Sequence, residues 1–137
     1  MHTLSSVTHF RVRFRECDPL QIVWHGNYLK YFEDAREEFC KEHGFSYYDV
    51  RVRGYATPIV KSLCEHKLPL RYSDKFEVEV SFIPTPAAKM IFNYKVTSQN
   101  KLVATGETVQ VFLDKKGELV LSNPPFFYEW KQKMGIE

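Results

Sequence analysis

The spacing of apolar positions changes along the chain, and the first clear pattern repeats every two residues. In "HFRVRFRE", Phe10, Val12 and Phe14 alternate with arginines. Strict alternation is typical of a strand with one buried face. We therefore predict a strand over residues 10–15, followed by a loop that carries "ECDPLQIVWHGN".

The apolar residues then take up helical spacing. Those on the predicted face fall at i, i+4, i+7 and i+11 and are Tyr28, Phe32, Ala35 and Phe39. Asn27 suits the N-cap of such a helix, and Gly44 suits the position just after its last turn. The sequence therefore predicts one long helix from about residue 27 to about residue 43.

After this helix, the chain is predicted to form strands and turns up to a short amphipathic tail. The segment "KFEVEVSFI" alternates strictly, and "KMIFNYKVTS" places its apolar residues on one face. The segments "SQNK" and "DKKGE" carry hairpin-turn signals, and Pro84 and Pro86 mark a bend. Together with "TPIVKSLCEHKL", "LVATGETVQVFL" and "LVL", these segments predict about five strands after the helix.

This order of elements predicts the fold class. Strands that follow one another through tight turns pair antiparallel, and one face of such a sheet needs cover. The helix has the apolar stripe to provide it. We predict an α+β fold in which an antiparallel sheet of about five to six strands wraps around one long central helix. The length of 137 residues favours a single domain over residues 1–137.

Charge and hydropathy exclude several classes of protein. The chain has 19 basic and 17 acidic residues, and this near balance gives no general attraction to nucleic acid. No apolar run is long enough to span a bilayer. The start "MHTLSSVTHF" lacks the features of a signal peptide, so we expect a cytoplasmic location.

The cysteines and histidines do not predict a metal site. Cys17, Cys40 and Cys64 are odd in number and widely spaced, which argues against a disulfide framework and a zinc motif. The histidines show no metal-ligand spacing, and no Gly-rich phosphate loop of the Walker type is present. We expect neither a metal nor a cofactor.

Asp18 is the first candidate for chemistry, because it lies seven residues ahead of His25, close to the predicted helix start. An aspartate before a proline is commonly a turn or cap residue. A helix N-terminus, however, offers free N–H groups and the positive end of the helix dipole. Cys17 and His25 could also form a nucleophile pair, but the sequence suggests no third group to orient them, so a structural thiol is favoured.

Three segments resemble a known family. "DPLQIVWHGNYLKYFEDARE", "TPIV" and "LPLRYSDKFEVEV" are similar to the hotdog-fold acyl-CoA thioesterases, especially the 4-hydroxybenzoyl-CoA thioesterase type and the related small bacterial acyl-CoA thioesterases. The resemblance extends over nearly the whole chain, from Phe10 to Leu121. It implies hydrolysis of an acyl-CoA thioester to a free carboxylic acid and coenzyme A.

The resemblance also implies roles for individual residues. Asp18 matches the catalytic carboxylate, which acts either as a nucleophile through an anhydride or as a general base on water. The backbone N–H at His25 would bind the thioester oxyanion. Gly26, Tyr28 and Thr57 are the candidate substrate-binding residues. Tyr28 also fits the core stripe, and Thr57 is expected to come from a partner chain.

The family forms homo-oligomers, so a dimer or a dimer of dimers is expected. Two other functions remain open. One is a thioesterase acting on an acyl carrier protein, and the other is a non-catalytic acyl-binding module with the same fold. A hydratase is disfavoured, because no paired His and Asp occur in the helix context that it requires.

Overall fold

A computed structural model describes residues 4–136. The strands are β1 (Ser5–Arg11), β2 (Ile59–His66), β3 (Lys75–Ile83), β4 (Lys89–Ser98) and β5 (Lys101–Val111). The helices are α1 (Asn27–Glu42), α2 (Tyr47–Val52) and α3 (Pro125–Met134), and one 3-10 turn covers Phe14–Glu16.

The strands form one antiparallel sheet in the order β1-β3-β4-β5-β2. The strands β3, β4 and β5 follow one another through hairpins. In the second hairpin, Gln99 and Asn100 have φ angles of 52° and 64°, as a tight primed turn requires. The strands β1 and β2 are therefore the two edges of the sheet.

The helix α1 covers the inner face of this sheet, as predicted. Phe32, Ala35 and Phe39 are at most 1% exposed. The ring of Phe32 stacks on Tyr94 of β4, with 4.3 Å between centroids. The helix ends just before Gly44, whose φ of +73° favours glycine, so the predicted end is confirmed within one residue.

Two predictions near the start of the chain are wrong in detail. β1 ends at Arg11, so the strand predicted over residues 10–15 lies too late. Phe14 is 77% exposed because the chain turns there, where the N–H of Arg13 donates to the Glu16 carboxylate at 2.8 Å. Asn27 was predicted as the N-cap, but Gly26 is the N-cap and Asn27 is the first helical residue. The side-chain amide of Asn27 donates to the carbonyl of Glu16 and does not cap the helix.

The strand predicted at "LVL" is also wrong. Leu119 makes only an isolated bridge to Leu113, so four strands rather than five follow α1 within residues 4–136. The amphipathic tail forms α3. Its Trp130 N–H donates to the carbonyl of His43 at 2.7 Å, which holds the tail against the end of α1.

The two sheet edges differ in character. β2 pairs only with β5, and it exposes the apolar side chains of Ile59, Val60 and Leu63. At the opposite edge, β1 exposes His9 and Arg11 together with one apolar side chain, Val7. Across the described part of the chain, no helix combines the length and apolar character needed to cross a membrane.

Candidate active site

Asp18 lies on a tight loop between the 3-10 turn and α1. Its N–H donates to the carbonyl of Ile22 at 2.9 Å, and its Oδ1 accepts the N–H of Leu20 at 2.8 Å. Gln21 takes a φ of +66° at the tip of this loop. The first role of the carboxylate is therefore that of a turn residue, with its second oxygen left for other contacts.

Glu16 fastens the Asp18 loop to the start of α1. Its backbone carbonyl accepts the N–H of Trp24 at 2.9 Å and the side-chain amide of Asn27 at 2.8 Å. Its carboxylate accepts the hydroxyl of Tyr31 at 2.9 Å. Glu16, which precedes the loop, is thereby hydrogen-bonded to Trp24 at the far end of the loop and to Asn27 and Tyr31 of α1. Sequence reasoning missed this arrangement, since it assigned Asn27 to a cap.

The backbone donors of His25 and Gly26 are free at the start of α1. No acceptor among residues 4–136 bonds to either N–H, whereas the N–H groups of Trp24 and Asn27 are both paired. These two donors lie at the positive end of a 16-residue helix. An anionic oxygen could bind to them there.

Gly26 is required by its contact with Trp24. A Cβ at this position would meet the distal ring atoms of the indole, which lies over the helix start. Trp24 itself is 47% exposed, and its ring centroid is 5.1 Å from that of His25. The missing side chain therefore leaves room for the indole ring beside Gly26.

An open pocket of about 580 Å³ lies beside Asp18. The lining side chains combine aromatic and charged groups and are Phe14, Cys17, Asp18, Pro19, Gln21, Arg71 and Tyr72. The exposed rings of Phe14 and Tyr72 meet edge to face at 5.7 Å. The pocket thus offers apolar surface and a cation next to the candidate carboxylate.

Cys17 is not set up as a nucleophile. Partial burial raises the pKa of its thiol, and the neighbouring carboxylates of Glu16, Asp18 and Asp74 raise it further. Its Sγ approaches the carbonyl of Arg13 at 3.9 Å. A reactive cysteine needs the opposite environment, one that stabilises the thiolate. A Cys–His pair is therefore disfavoured.

Tyr28 lies in the core rather than in the open pocket. It is 3% exposed, and its ring meets that of His66, at the end of β2, edge to face at 4.7 Å. Burial, with a smaller contribution from Cys64, raises the pKa of its phenol to about 12. The phenol therefore stays neutral at physiological pH.

Thr57 lies far from Asp18 within one chain. It precedes β2, whose other end, His66, packs beside Tyr28 and the start of α1. Nine residues of extended chain separate Thr57 from His66, a span of roughly 30 Å. The two candidates can share a site only if Thr57 comes from a second copy.

Sequence reasoning also missed a basic pocket. Four cations, Arg11, Arg13, Arg15 and Lys75, line an open pocket of about 500 Å³ together with Glu16 and other residues. None of the four cations forms an ion pair with a described carboxylate. The alternation of Arg with apolar residues was the available signal, but by itself it predicts only a strand. In residues 4–136, no group of three or more His, Cys, Asp or Glu residues could hold a metal.

Comparisons with known proteins agree with this architecture. Residues 12–131 match the Thioesterase-like superfamily. The acyl-CoA thioester hydrolase YbgC of Escherichia coli O6:H1 is 26% identical over 105 residues, which cover 76% of this chain and 78% of that protein. The crystal structure of a hypothetical protein from Aquifex aeolicus is similar with a TM-score of 0.83 and 33% identity, covering 91% of this chain and 98% of that one.

The fold is also that of the 4-hydroxybenzoyl-CoA thioesterase of Pseudomonas sp. strain CBS-3. The TM-score is 0.80 at 24% identity, with 92% of this chain and 98% of that chain covered. A sheet wrapped around one long helix defines the hotdog class, which confirms the predicted α+β fold. The chain belongs to the thioesterase-like superfamily. Its activity is thioester hydrolysis, and the resemblance found in the sequence is confirmed.

Proposed function

We propose that this protein hydrolyses acyl-CoA thioesters to a free carboxylic acid and coenzyme A, using Asp18 and the start of α1. One observation carries the proposal. The loop of Asp18 and the free N–H groups of His25 and Gly26 are joined into one rigid unit through Glu16. A carboxylate and preorganised donors are the two groups that attack on a thioester carbonyl requires.

In the proposed reaction, the thioester oxygen faces the N–H groups of His25 and Gly26. Attack at the carbonyl carbon moves an electron pair onto that oxygen, and the two donors bind the negative charge as it forms. Collapse of the intermediate then expels the thiolate of coenzyme A. The attacking atom is either a water oxygen deprotonated by Asp18 or a carboxylate oxygen of Asp18 itself, which gives an anhydride that water hydrolyses.

We also propose that the active unit is a homodimer joined along β2. This strand has a free edge and exposed apolar side chains, two features that favour pairing with another chain. Pairing two β2 strands antiparallel would bring the Thr57 end of each chain towards the His66 end of the other. Thr57 of one copy would then be a substrate-binding residue near the start of α1 of the other copy, whereas Tyr28 stays in the core.

The basic pocket supports a second candidate, a substrate carried by an acidic acyl carrier protein. The unpaired side chains of Arg11, Arg13, Arg15 and Lys75 would attract an acidic protein surface. They would also attract the phosphates of coenzyme A. If the carrier is the substrate, reversing charge at Arg13 would lower kcat/KM much more for the acyl carrier protein than for acyl-CoA.

Thiol release tests the proposed function directly. We expect purified protein to release free thiol from acyl-CoA esters in a panel of aliphatic chain lengths and benzoyl-type groups. The same panel identifies the acyl group. A protein that binds acyl-CoA without releasing thiol from any of these esters would instead be the non-catalytic acyl-binding module.

A further inference from the structure

A chain of buried polar side chains runs beneath α1 towards Thr57. Arg36 of α1 is only 6% exposed, and it donates from Nε to the hydroxyl of Tyr47 at 2.6 Å. The Tyr47 hydroxyl lies 3.1 Å from Oε1 of Gln110, and Nε2 of Gln110 donates to the carbonyl of Thr57 at 2.8 Å. These contacts link the middle of the helix to the residues that precede β2.

Arg36 fixes the direction of every hydrogen bond in this chain. A guanidinium only donates, so the oxygen of Tyr47 must accept. Burial raises the pKa of Tyr47, so its phenol keeps its proton and gives it to Oε1 of Gln110. The amide of Gln110 is thereby held with its NH₂ group towards Thr57.

Arg36 has no carboxylate partner that would explain its burial. None of the ion pairs formed by the described residues includes it. Its Nη1 donates to the hydroxyl of Tyr94 at 3.0 Å, so both of its hydrogen-bond partners, Tyr47 and Tyr94, are neutral side chains. Burial of an unpaired charge costs stability, and in some proteins a buried polar or charged group imposes a specific arrangement.

Within residues 4–136, Thr57 forms no backbone hydrogen bond with the sheet. Its neighbours do, because backbone hydrogen bonds of 2.8–3.2 Å join Ala56 to Leu113 and Pro58 to Val111 of β5. Within residues 4–136, the amide of Gln110 is the hydrogen-bond partner of Thr57. Gln110 is 3% exposed and Thr57 is half-buried, so this contact is partly buried.

We propose that Gln110 is a positioning residue that sets Thr57 for contact with substrate in the site of the partner copy, with Arg36 and Tyr47 holding its orientation. The inference rests on the proposed function, in which Thr57 crosses to the second active site. Gln110 does not touch the reacting atoms. It acts through Thr57, and its effect therefore falls on substrate binding.

Kinetics of Gln110→Met and Thr57→Val test this role. Met has a similar size but no amide. We expect each variant to raise KM for acyl-CoA about tenfold with kcat within about twofold of wild type, as for loss of one binding contact. The double variant should raise KM no further than Thr57→Val alone, because Gln110 would have nothing left to position.

Lys131→Met is the matched control. Lys131 is also buried, at 3% exposed, but its Nζ donates to Thr85, Ala87 and Asn123 rather than to any residue of the network between Arg36 and Thr57. We expect it to lower the unfolding temperature about as much as Gln110→Met does while leaving KM unchanged. If Gln110→Met proves too unstable to assay, Tyr47→Phe removes the hydroxyl that orients the amide and should raise KM in the same way.

Three results would overturn the inference. They are an unchanged KM in both Gln110→Met and Tyr47→Phe, an equal rise of KM in Lys131→Met, or additive effects of Gln110→Met and Thr57→Val. In each of these cases wild type would still release thiol and Asp18→Asn would still be impaired. A failure of the proposed function looks different, because wild type itself would then release no thiol.

Discussion

Asn27 donates its side-chain amide to the backbone carbonyl of Glu16 across 2.8 Å, and this bond fastens the first residue of α1 to the loop that carries Asp18. Both residues lie next to the candidate chemistry without belonging to it. A helix of 16 residues packed on a sheet is rigid, whereas a loop is not. The bond therefore restricts the motion of the loop that carries the candidate carboxylate of Asp18.

The first prediction concerns this bond. Asn27→Asp replaces the donor with a carboxylate that faces a carbonyl, and we expect the free energy of unfolding to fall by about 1–3 kcal/mol. The loss should occur even though an acidic residue at a helix start is otherwise favourable. Urea denaturation measures it, with Asn93→Asp on the exposed side of β4 as the control. Equal stabilities of the two variants would contradict the assigned role.

The second prediction concerns Asp18. Asn can still accept the N–H of Leu20 through its Oδ1, so the turn should survive Asp18→Asn and the unfolding temperature should change by only a few degrees. The amide is neither a base nor an effective nucleophile, and we expect turnover at saturating substrate to fall at least about 10²-fold.

The control for Asp18→Asn is Asp114→Asn. Oδ1 of Asp114 accepts the N–H of Lys116 at 2.9 Å in a similar turn far along the chain. This variant should retain turnover. Near-normal turnover in Asp18→Asn would return Asp18 to a purely structural role.

The third prediction separates the backbone of His25 from its ring. His25→Pro removes an N–H that the described fold does not use, so the protein should remain folded while turnover falls by roughly 10²–10³-fold. His25→Ala keeps that N–H and should be much less harmful. Steady-state thiol release, with circular dichroism as the folding check, measures both. If Ala is as damaging as Pro, the ring rather than the backbone matters.

The fourth prediction uses the raised pKa of Cys17. Because burial and three nearby carboxylates raise this pKa, the thiolate forms only at higher pH than in a free cysteine, and alkylation near pH 8 should be slow. Mass spectrometry after iodoacetamide treatment across a pH series gives the rate at each cysteine. Cys17→Ala should retain turnover. Rapid alkylation at neutral pH together with an inactive Cys17→Ala would restore the nucleophile hypothesis.

The fifth prediction concerns assembly. Leu63→Lys places a charge on the exposed apolar edge of β2, where lysine opposes strand pairing, so light scattering should show a shift from dimer to monomer. Turnover should fall with it, because Thr57 would no longer reach a second copy. Leu121→Lys is the control, since Leu121 is 85% exposed outside the sheet. A fully active monomer would contradict the shared site.

The sequence predicts those parts of the fold in which one period runs for many residues. The helical stripe through Phe32 and Phe39 and the alternation in β3 and β4 each have one buried face, and the structure confirms them. The helix α2 covers only six residues, too few for a period to be recognised. The start of β1 was missed because its buried Ser6 is polar, which hides the alternation.

The candidate site was predictable only where it is local in sequence. Asp18 and His25 are close along the chain, and the sequence motif that contains both residues allowed their roles to be predicted. The contacts that support them join a side chain to a backbone carbonyl, as between Asn27 and Glu16, 11 residues apart. The contact of Gln110 with Thr57 spans 53 residues. Such pairs depend on how the strands and helices pack, and no local pattern encodes them.

The unequal edges of the sheet determine how large an assembly can grow. A protein whose two sheet edges were both free and apolar could associate head to tail indefinitely and form filaments. Here β2 exposes Val60 and Leu63, whereas β1 exposes one apolar side chain, Val7, beside His9 and Arg11. In the proposed dimer, pairing of β2 with β2 would be two-fold symmetric and would bury the apolar edge of both chains, leaving only the two β1 edges free. Under this proposal, growth along the sheet would stop at two copies.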